Sequence, residues 1–253
     1  MCTKSGSIKI LLTVQIMFYI TCSNLLAQSS SVDQVSNDFY QDGKSLVTSP
    51  FHWQKKDCIV ALSFLAATSI AFATDEESQK VFQRNRTDFS NRAADFFRPF
   101  GDKPPFWVLG GMYATGLVIK DHKAKETAYL GLRSILIAGS ITTVLKYGFG
   151  RARPFADKGA YYFKSFDFSP SGYSLSLPSG HATTAFAFAS VVAHQYPRWW
   201  VKYPVYFLAA GVAWSRLNDN IHFLSDVVVG GGIGYFVGEK IVHRHQKEHP
   251  NSR

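Results

Sequence analysis

The chain has 253 residues, 46% of them hydrophobic, and no linker rich in proline, glycine and serine, so we expect one domain with a complete core. Its formal net charge is +9, but the basic residues are scattered along the chain and do not follow the pattern of a known nucleic-acid-binding module. This distribution argues against a nucleic-acid partner. A solvated surface, or a charge bias beside a membrane, explains the basic residues better.

The amino terminus predicts export. Two lysines precede an apolar run at residues 10–20, and Ala27 then provides a small residue before a polar stretch. This order is typical of a cleaved secretory signal, so we predict a signal peptide over residues 1–27. The largely polar and turn-rich residues 28–56 predict a loosely ordered lead-in to the folded domain.

Apolar stretches separated by short polar segments make up most of the remaining chain. They show no strand-like alternation and no internal repeat, so we predict an all-α helical bundle over residues 57–245, followed by a basic tail at 246–253. Residues 75–105 alternate charges with phenylalanines and predict an amphipathic helix along an apolar surface. The apolar stretches are residues 58–74, 106–119, 134–145, 182–194, 203–214 and 227–242.

The last apolar stretch carries a glycine every four residues, at Gly230, Gly234 and Gly238. Residues four apart share one helix face, so this face has almost no side chains. The spacing therefore predicts close contact with a neighbouring helix.

The length of the stretches leaves their relation to a membrane open. A helix needs about 20 apolar residues to span a bilayer, whereas these runs are shorter, and the mean hydropathy of the chain is only -0.04. Basic residues at 120–125 and at the carboxyl end nevertheless resemble cytoplasmic loops under the positive-inside rule. We therefore favour five spans, with residues 58–74 as a peripheral helix and the motif-bearing loops on the outer face, over a wholly soluble periplasmic protein.

Residues 214–226 place an arginine, a histidine and an aspartate beside an apolar run that does not need them structurally. If the chain is helical from Ile221 onward, His222 and Asp226 share one helix face. Asp226 could then hold one imidazole nitrogen and leave the other free to react. Arg216 could meet an anion near the start of that helix. The same pattern also fits a capped helix with a satisfied core histidine and a surface arginine.

Two earlier blocks carry further candidate residues. Lys146 and Arg153 follow an apolar stretch, and on their own they indicate only the snorkelling end of a helix. Ser179 has the composition of a helix N-cap, and Gly180 would let an anion approach the backbone N–H groups of the next helix. His181 would lie on the first turn of that helix.

Together the three blocks contain the motifs K-x6-R-P, P-S-G-H and S-R-x5-H-x3-D, in this order, between Lys146 and Asp226. They resemble the three-part signature of the type 2 phosphatidic acid phosphatase and vanadium haloperoxidase superfamily. The resemblance implies a helical bundle that catalyses phosphoryl transfer in two steps without a metal or another cofactor. It assigns no role to Arg151, which we interpret as a flanking cation.

The resemblance also implies a role for each candidate residue. His222 would attack phosphorus and form a phosphohistidine, Asp226 would orient its ring, and His181 would act as the general acid and then the general base. A zinc site formed by these three residues is the competing interpretation, which neighbouring cations disfavour because they repel a metal and attract an anion. The implied phosphate-binding groups are Lys146, Arg153, Ser179, the Gly180 amide and Arg216.

These features predict an exported phosphatase, embedded in the cell membrane, that acts on lipid phosphates at the periplasmic face. Candidate substrates are phosphatidic acid, phosphatidylglycerol phosphate, undecaprenyl pyrophosphate and a lipid A phosphate. The aromatic loop at residues 155–177 would either receive a lipid chain or form a packed lid. The alternatives are a soluble periplasmic acid phosphatase of broad specificity, a vanadate-dependent haloperoxidase and a non-catalytic helical protein. The sequence predicts no oligomeric state.

Overall fold

The computed structural model describes residues 32–167 and 173–250. Within these residues the backbone forms no strand, only an isolated antiparallel bridge between Arg151 and Phe163, so the predicted all-α architecture is confirmed. The helices in chain order are α1 (Val32–Thr48), α2 (Lys55–Ala73), α3 (Asp75–Arg84), α4 (Asp88–Phe97), α5 (Pro104–Val118), α6 (His122–Phe149), α7 (Gly180–Gln195), α8 (Trp199–Asn218) and α9 (Leu224–Glu248), with short 3-10 turns at Ser49–His52, Arg98–Gly101 and Pro154–Ala156.

Helix α7 lies at the centre of the bundle and packs against α6, α8 and α9. Its sequence explains this position, because the alanines at positions 182, 185, 187 and 189 are all buried. Small side chains let the backbones of neighbouring helices approach closely. Larger residues of the flanking helices, such as Leu130 of α6 and Ile241 of α9, fill the remaining core. This packing fixes the ends of α6, α7, α8 and α9, where the motif blocks lie.

The glycine stripe of α9 faces α7, as the sequence predicts. A Cβ atom added at Gly230 would lie 2.4 Å from the backbone oxygen of Ser179, and one at Gly234 would lie 2.3 Å from the backbone oxygen of Thr183. Gly238 lies against the Ser190 side chain, which a Cβ would approach to 2.8 Å. The two helix backbones are therefore in direct contact along the stripe.

The Gly234→Ala variant is expected to lower the free energy of unfolding by about 1–3 kcal/mol, because the backbones of α7 and α9 must separate. Gly139→Ala on α6 is the matched control, since nothing lies within 4 Å of a Cβ built there. Replacing a helical glycine by alanine at such an open position stabilises a protein by about 0.4–1 kcal/mol. Denaturation of the purified variants measures both effects, and equal changes would contradict the packing role of the stripe.

The loosely ordered lead-in predicted for residues 28–56 is wrong for the described residues 32–56, which form helix α1, the turn after it and the beginning of α2. Asp42 of α1 is buried and accepts hydrogen bonds from Arg133 Nε at 2.9 Å and from Arg244 Nε at 2.6 Å. The two arginines belong to α6 and α9, so α1 is part of the folded domain. A carboxylate whose partners lie 91 and 202 residues away leaves no local pattern in the sequence.

The ends of the chain differ from prediction in a second respect. The basic tail predicted for residues 246–253 begins inside α9, which continues to Glu248. In its last turns Arg244 donates to Glu248 Oε1 at 2.6 Å, four residues later. The signal peptide predicted for residues 1–27 lies outside the described residues.

Residues 75–105 form two helices and a turn instead of one amphipathic helix. The break precedes α4, where Thr87 acts as N-cap: its Oγ1 accepts from the Ser90 N–H at 3.1 Å, and its own N–H donates to Ser90 Oγ at 3.0 Å. Phe97 of the aromatic face packs tightly on Gly211 of α8, whereas Phe89 and Phe96 are 76% and 60% exposed. The predicted apolar partner of this segment is therefore another helix of the bundle.

Two of the described helices, α2 and α6, are long and apolar enough to cross a membrane, judged by length and composition. They have 19 and 28 residues, and their best windows have mean hydropathies of 1.6 and 1.5. Only 6% of the α2 window is buried inside the protein, against 44% for α6. Both helices fit a membrane-embedded bundle. The peripheral position predicted for residues 58–74 stays a prediction, although α2 has the length of a span.

Candidate active site

The three motif blocks meet where α6 and α8 end and where α7 and α9 begin. Lys146 lies in the last turn of α6, and Arg216 lies in the last turn of α8. Ser179 is the N-cap of α7, and its backbone N–H donates to the Asp226 carbonyl oxygen at 2.9 Å. Residues that are far apart in the sequence therefore come together at one end of the bundle.

His222 lies in the loop before α9 and not on a helix that starts at Ile221. Helix α9 begins at Leu224, after Asn220 adopts a left-handed conformation with φ 57°. His222 is only 4% exposed, and its Nδ1 lies 3.5 Å from Asp226 Oδ2. The predicted pairing is present, but it joins a loop residue to the first turn of a helix. Nε2 is the ring nitrogen left free of Asp226.

Both carboxylate oxygens of Asp226 are held by other groups. Oδ2 accepts hydrogen bonds from Ser176 Oγ at 2.5 Å and from the Phe223 N–H at 2.8 Å. Oδ1 accepts from Arg151 Nη1 at 2.7 Å. Ser176 Oγ also lies 3.4 Å from His222 Nδ1. Asp226 is thus fixed in the orientation that it presents to the histidine.

The interpretation of Arg151 as a flanking cation is wrong. Its side chain is fully buried, and its guanidinium donates to Asp75 Oδ2 at 2.7 Å as well as to Asp226. Its Nε donates to the Ala160 carbonyl oxygen at 2.8 Å, and the ring of Phe223 lies 4.4 Å from its Cζ. Arg151 therefore joins the carboxylate that faces His222 to a second buried carboxylate on α3.

Asp75, at the start of α3, completes this network. It accepts from the Ser225 N–H at 2.8 Å and from Ser225 Oγ at 2.5 Å, and its side chain is fully buried. Asp75, Ser225 and Ser176 are site residues that the sequence does not predict. No local signal points to Asp75, because Arg151 and Ser225 lie 76 and 150 residues away from it. Ser176 carried a weak signal, as a polar residue just before the P-S-G-H motif.

Two of the predicted phosphate-binding cations, Arg153 and Lys146, differ in their hydrogen-bond partners. Arg153 Nε is buried without a hydrogen-bond partner among the described residues. Lys146 Nζ donates to the carbonyl oxygens of Leu175 at 2.7 Å and of Ser176 at 3.3 Å. Buried donors in proteins are almost always satisfied, so the Nε–H of Arg153 indicates a place for an acceptor.

Arg216 lies upstream of α9, in the last turn of α8. It forms an ion pair with Asp219. Asp219 Oδ2 also lies 3.6 Å from Arg98 Nη1. The Arg216 charge is close enough to act on the His181 ring. The structure therefore places Arg216 beside His181 with a carboxylate partner already in contact.

The two histidines share the same cationic surroundings. The charges of Lys146 and Arg153 act on both His181 and His222. Burial lowers the pKa of His222 to about 3, these charges act in the same direction, and the hydrogen bond to Asp226 opposes them. The His222 ring is therefore neutral at physiological pH and has a lone pair to offer.

The start of α7 has the predicted features of a helix entry. Ser179 Oγ accepts from the Ala182 N–H at a long 3.5 Å, and a Cβ added at Gly180 would lie 3.9 Å from Lys146 Cε. The N-terminus of this 16-residue helix adds a partial positive charge. An anion bound by Lys146 would therefore also meet the first turn of α7.

Comparison with protein families adds a finding on the same residues. The model of the PAP2 superfamily matches residues 128–250, a range that contains all three motif blocks. Residues 128–250 belong to the PAP2 superfamily. Every site residue that the sequence predicts lies inside this PAP2 region, whereas Asp75 lies before it.

The chain is similar to curated lipid A 1-phosphatases. It is 36% identical to the lipid A 1-phosphatase of Rhizobium johnstonii over 107 aligned residues. The aligned region covers 40% of this chain and 41% of that protein. It is 32% identical to the lipid A 1-phosphatase of Porphyromonas gingivalis over 105 aligned residues. The aligned region covers 41% of this chain and 20% of that protein. The chain thus spans less than half the length of these relatives.

Two solved structures share the PAP2 fold. LpxE of Aquifex aeolicus has a TM-score of 0.52 and 20% identity, over 67% of this chain and 94% of that chain. A transmembrane PAP2-type phosphatidylglycerolphosphate phosphatase of Bacillus subtilis has a TM-score of 0.55 and 21% identity, over 74% of this chain and 96% of that chain. These likenesses extend well before residue 128 and establish the fold.

Proposed function

We propose that the protein is a PAP2-type phosphatase that removes phosphate from a membrane lipid. The observation that carries this proposal is the surroundings of His222, a buried neutral imidazole that faces Asp226 and lies among the charges of Lys146 and Arg153. A neutral nucleophile beside cations suits attack on an anionic phosphate ester. The similarity to lipid A 1-phosphatases favours a lipid A type of substrate.

In the proposed mechanism, Nε2 of His222 attacks phosphorus, and the P–O bond to the lipid breaks. Asp226 stabilises the positive charge that develops on the ring. His181, which the bound phosphate dianion would keep protonated by offsetting the neighbouring cations, gives its proton to the leaving oxygen. Water then attacks the phosphohistidine while His181 takes up a proton from it. The P–N bond breaks, which releases inorganic phosphate and returns His222 to its neutral form.

The proposed phosphate position rests on the hydrogen-bond donors of Arg153 and Lys146 that a phosphate could use. Arg153 would give its unpartnered Nε–H to a phosphoryl oxygen. Lys146 would exchange two neutral carbonyl partners for a charged oxygen, a stronger hydrogen bond. The Gly180 N–H and the start of α7 would complete the contacts, with Arg216 on the His181 side.

An apolar groove favours a lipid over a water-soluble ester. It has a volume of about 450 Å³ and lies between α2, α7, α8 and α9. Leu217 and Leu224 line it, and in the sequence they adjoin Arg216 and the loop that carries His222. An acyl chain buried there would gain about 0.8 kcal/mol for each CH₂ group. A small soluble phosphate ester has no part that could use this groove.

We also propose that the site faces the outer side of the cell membrane. The basic loop at 120–125 lies before and within the first turn of α6, at the opposite end of that helix from Lys146. By the positive-inside rule this loop would be cytoplasmic. Trp199 and Trp200, 68% and 53% exposed at the start of α8, fit an aromatic belt at the same interface.

A phosphate-release assay tests the proposal. The purified protein in detergent micelles is expected to act on lipid A 1-phosphate and other lipid phosphates with a kcat/KM more than about tenfold above that for water-soluble esters, since burial of two CH₂ groups already gives this factor. Equal rates on both classes would favour a soluble acid phosphatase. Halide oxidation that needs vanadate, without phosphate release, would overturn the proposal.

A variant of the groove separates lipid binding from catalysis. Val228→Trp would fill part of the groove that Val228 lines, and it is expected to reduce activity on the lipid while leaving that on a soluble ester within a few-fold. Val118→Trp on α5 is the matched control, because Val118 is 82% exposed and lies outside the groove. An equal loss on both substrates would contradict the acyl-chain role of the groove.

A further inference from the structure

A second group of ionisable side chains lies on α7 and α9, far from the candidate active site. His194 is in the last turn of α7, whereas Ser179 and His181 lie at the start of that helix. Glu239 and His243 lie in the second half of α9, four residues apart and so on one helix face. One possible ligand atom from each of His194, Glu239 and His243 lies within 4.8 Å of the other two. We call these three residues the His–Glu–His cluster.

The cluster has the composition of a zinc site. Two histidines and one glutamate, with a fourth position left for water, are a known ligand set of zinc in proteins. Ligand atoms about 2.0–2.1 Å from a tetrahedral ion lie about 3.3 Å apart. His194 Nε2 is already 3.9 Å from Glu239 Oε1, so small side-chain rotations would bring the ligand atoms to this spacing.

Neighbouring groups interact with two of the three ligands. His194 Nδ1 lies 2.7 Å from the Ser190 carbonyl oxygen, which can only accept, so Nδ1 carries a proton. Nε2 then has the lone pair and faces Glu239. Tyr235 lies four residues before Glu239 on the same face of α9 and interacts with its carboxylate. Metal-binding histidines characteristically donate their second N–H to a carbonyl or carboxylate in this way.

We propose that the His–Glu–His cluster binds one zinc ion per chain. The ion would join the end of α7 to α9 beyond the glycine stripe that holds the two helices together earlier in their length. Since only the folded chain brings the three ligands together, binding would stabilise the fold. The cluster lies at the other end of α7 from His181, so phosphate release would not depend on this ion.

Metal binding to the intact protein tests the proposal. The full chain, purified in detergent with an affinity tag that contains no histidine and stripped with a chelator, is expected to bind one equivalent of zinc in equilibrium dialysis. Zinc at about 100 times its dissociation constant should raise Tm by about 5 °C or more. Cobalt in place of zinc should give the visible absorption band of a four-coordinate ion. Binding of less than half an equivalent would overturn the proposal.

Single substitutions locate the ion. His194→Ala, Glu239→Gln and His243→Ala are each expected to weaken zinc binding at least about tenfold. His249→Ala is the matched control, because His249 lies just past the end of α9 and contacts His245 instead of the cluster. Zinc binding that needs His249 but tolerates the cluster substitutions would show that the ion binds elsewhere. Glu239→Gln keeps the shape of the side chain, so its result stands even if the alanine variants fail to fold.

Discussion

Replacing His222 by alanine is expected to lower phosphate release from a lipid phosphate at least about 10⁴-fold, because alanine has no nitrogen to attack phosphorus. His222 is buried, and its Nδ1 lies 3.5 Å from Asp226 Oδ2, so the variant loses the imidazole that Asp226 orients. The measurement is kcat/KM for the purified variant, with Tm as a check of folding. His122→Ala, an exposed histidine at the start of α6, is the control and should keep full activity.

The same prediction extends to the intermediate and to Asp226. Rapid quenching with a phosphorus-labelled substrate should trap label on the wild-type chain and none on His222→Ala. Asp226→Asn should lower kcat about 10²–10⁴-fold, since asparagine can still accept the Nδ1–H but brings no negative charge to stabilise the ring. A His222→Ala variant that folds and retains a tenth of the activity would mean that another residue attacks phosphorus.

Replacing Arg151 by alanine is expected to lower the free energy of unfolding by about 3–5 kcal/mol, because Asp75 and Asp226 would lose their shared cation while fully buried. Denaturation in detergent measures this loss. Arg92→Ala is the control: Arg92 is exposed on α4, and its removal should change stability by no more than about 0.5 kcal/mol.

Two further variants separate stability from positioning. Adding Asp75→Asn to Arg151→Ala removes one of the two unpaired carboxylates, so it should restore part of the lost stability. Arg151→Lys keeps the charge but cannot bond Asp75 and Asp226 with one rigid fork. It should therefore lower kcat more than it changes KM, because the orientation of Asp226 toward His222 would relax. An unchanged kcat in a stable Arg151→Lys variant would show that Arg151 is only structural.

The sequence predicts well the features that depend on the spacing of residues close together in the chain. The four-residue glycine repeat predicts the contact of α9 with α7, and Ser179 before Gly180 predicts the N-cap of α7. The i,i+4 spacing predicts the contact between His222 and Asp226 correctly, but it predicts wrongly that both residues lie on one helix. The loop turns at Asn220 and the helix starts only at Leu224, so the contact arises from a turn that the spacing does not encode.

The features that sequence missed depend on contacts between distant segments. The family signature assigns no role to Arg151, and its two carboxylate partners, Asp75 and Asp226, lie 76 and 75 residues away in the chain. Asp42 falls in the polar segment predicted to be a loosely ordered lead-in, and nothing nearby in the sequence indicates its arginine partners on α6 and α9. Charged residues of this kind look surface-exposed in sequence, since an isolated buried charge is very unfavourable and its partner is visible only in the fold.

Asp42 and Asp75 have a practical consequence for how this protein is dissected. Both lie outside residues 128–250, yet they supply the counter-charges for Arg133 and Arg151 inside that range. A fragment cut at the boundary of the matched region would bury Arg133 without its carboxylate partners and leave Arg151 with Asp226 alone. Expression designs, domain swaps and chimeras should therefore begin upstream of α1, because α1 and α3 carry carboxylates that neutralise buried arginines of the matched region.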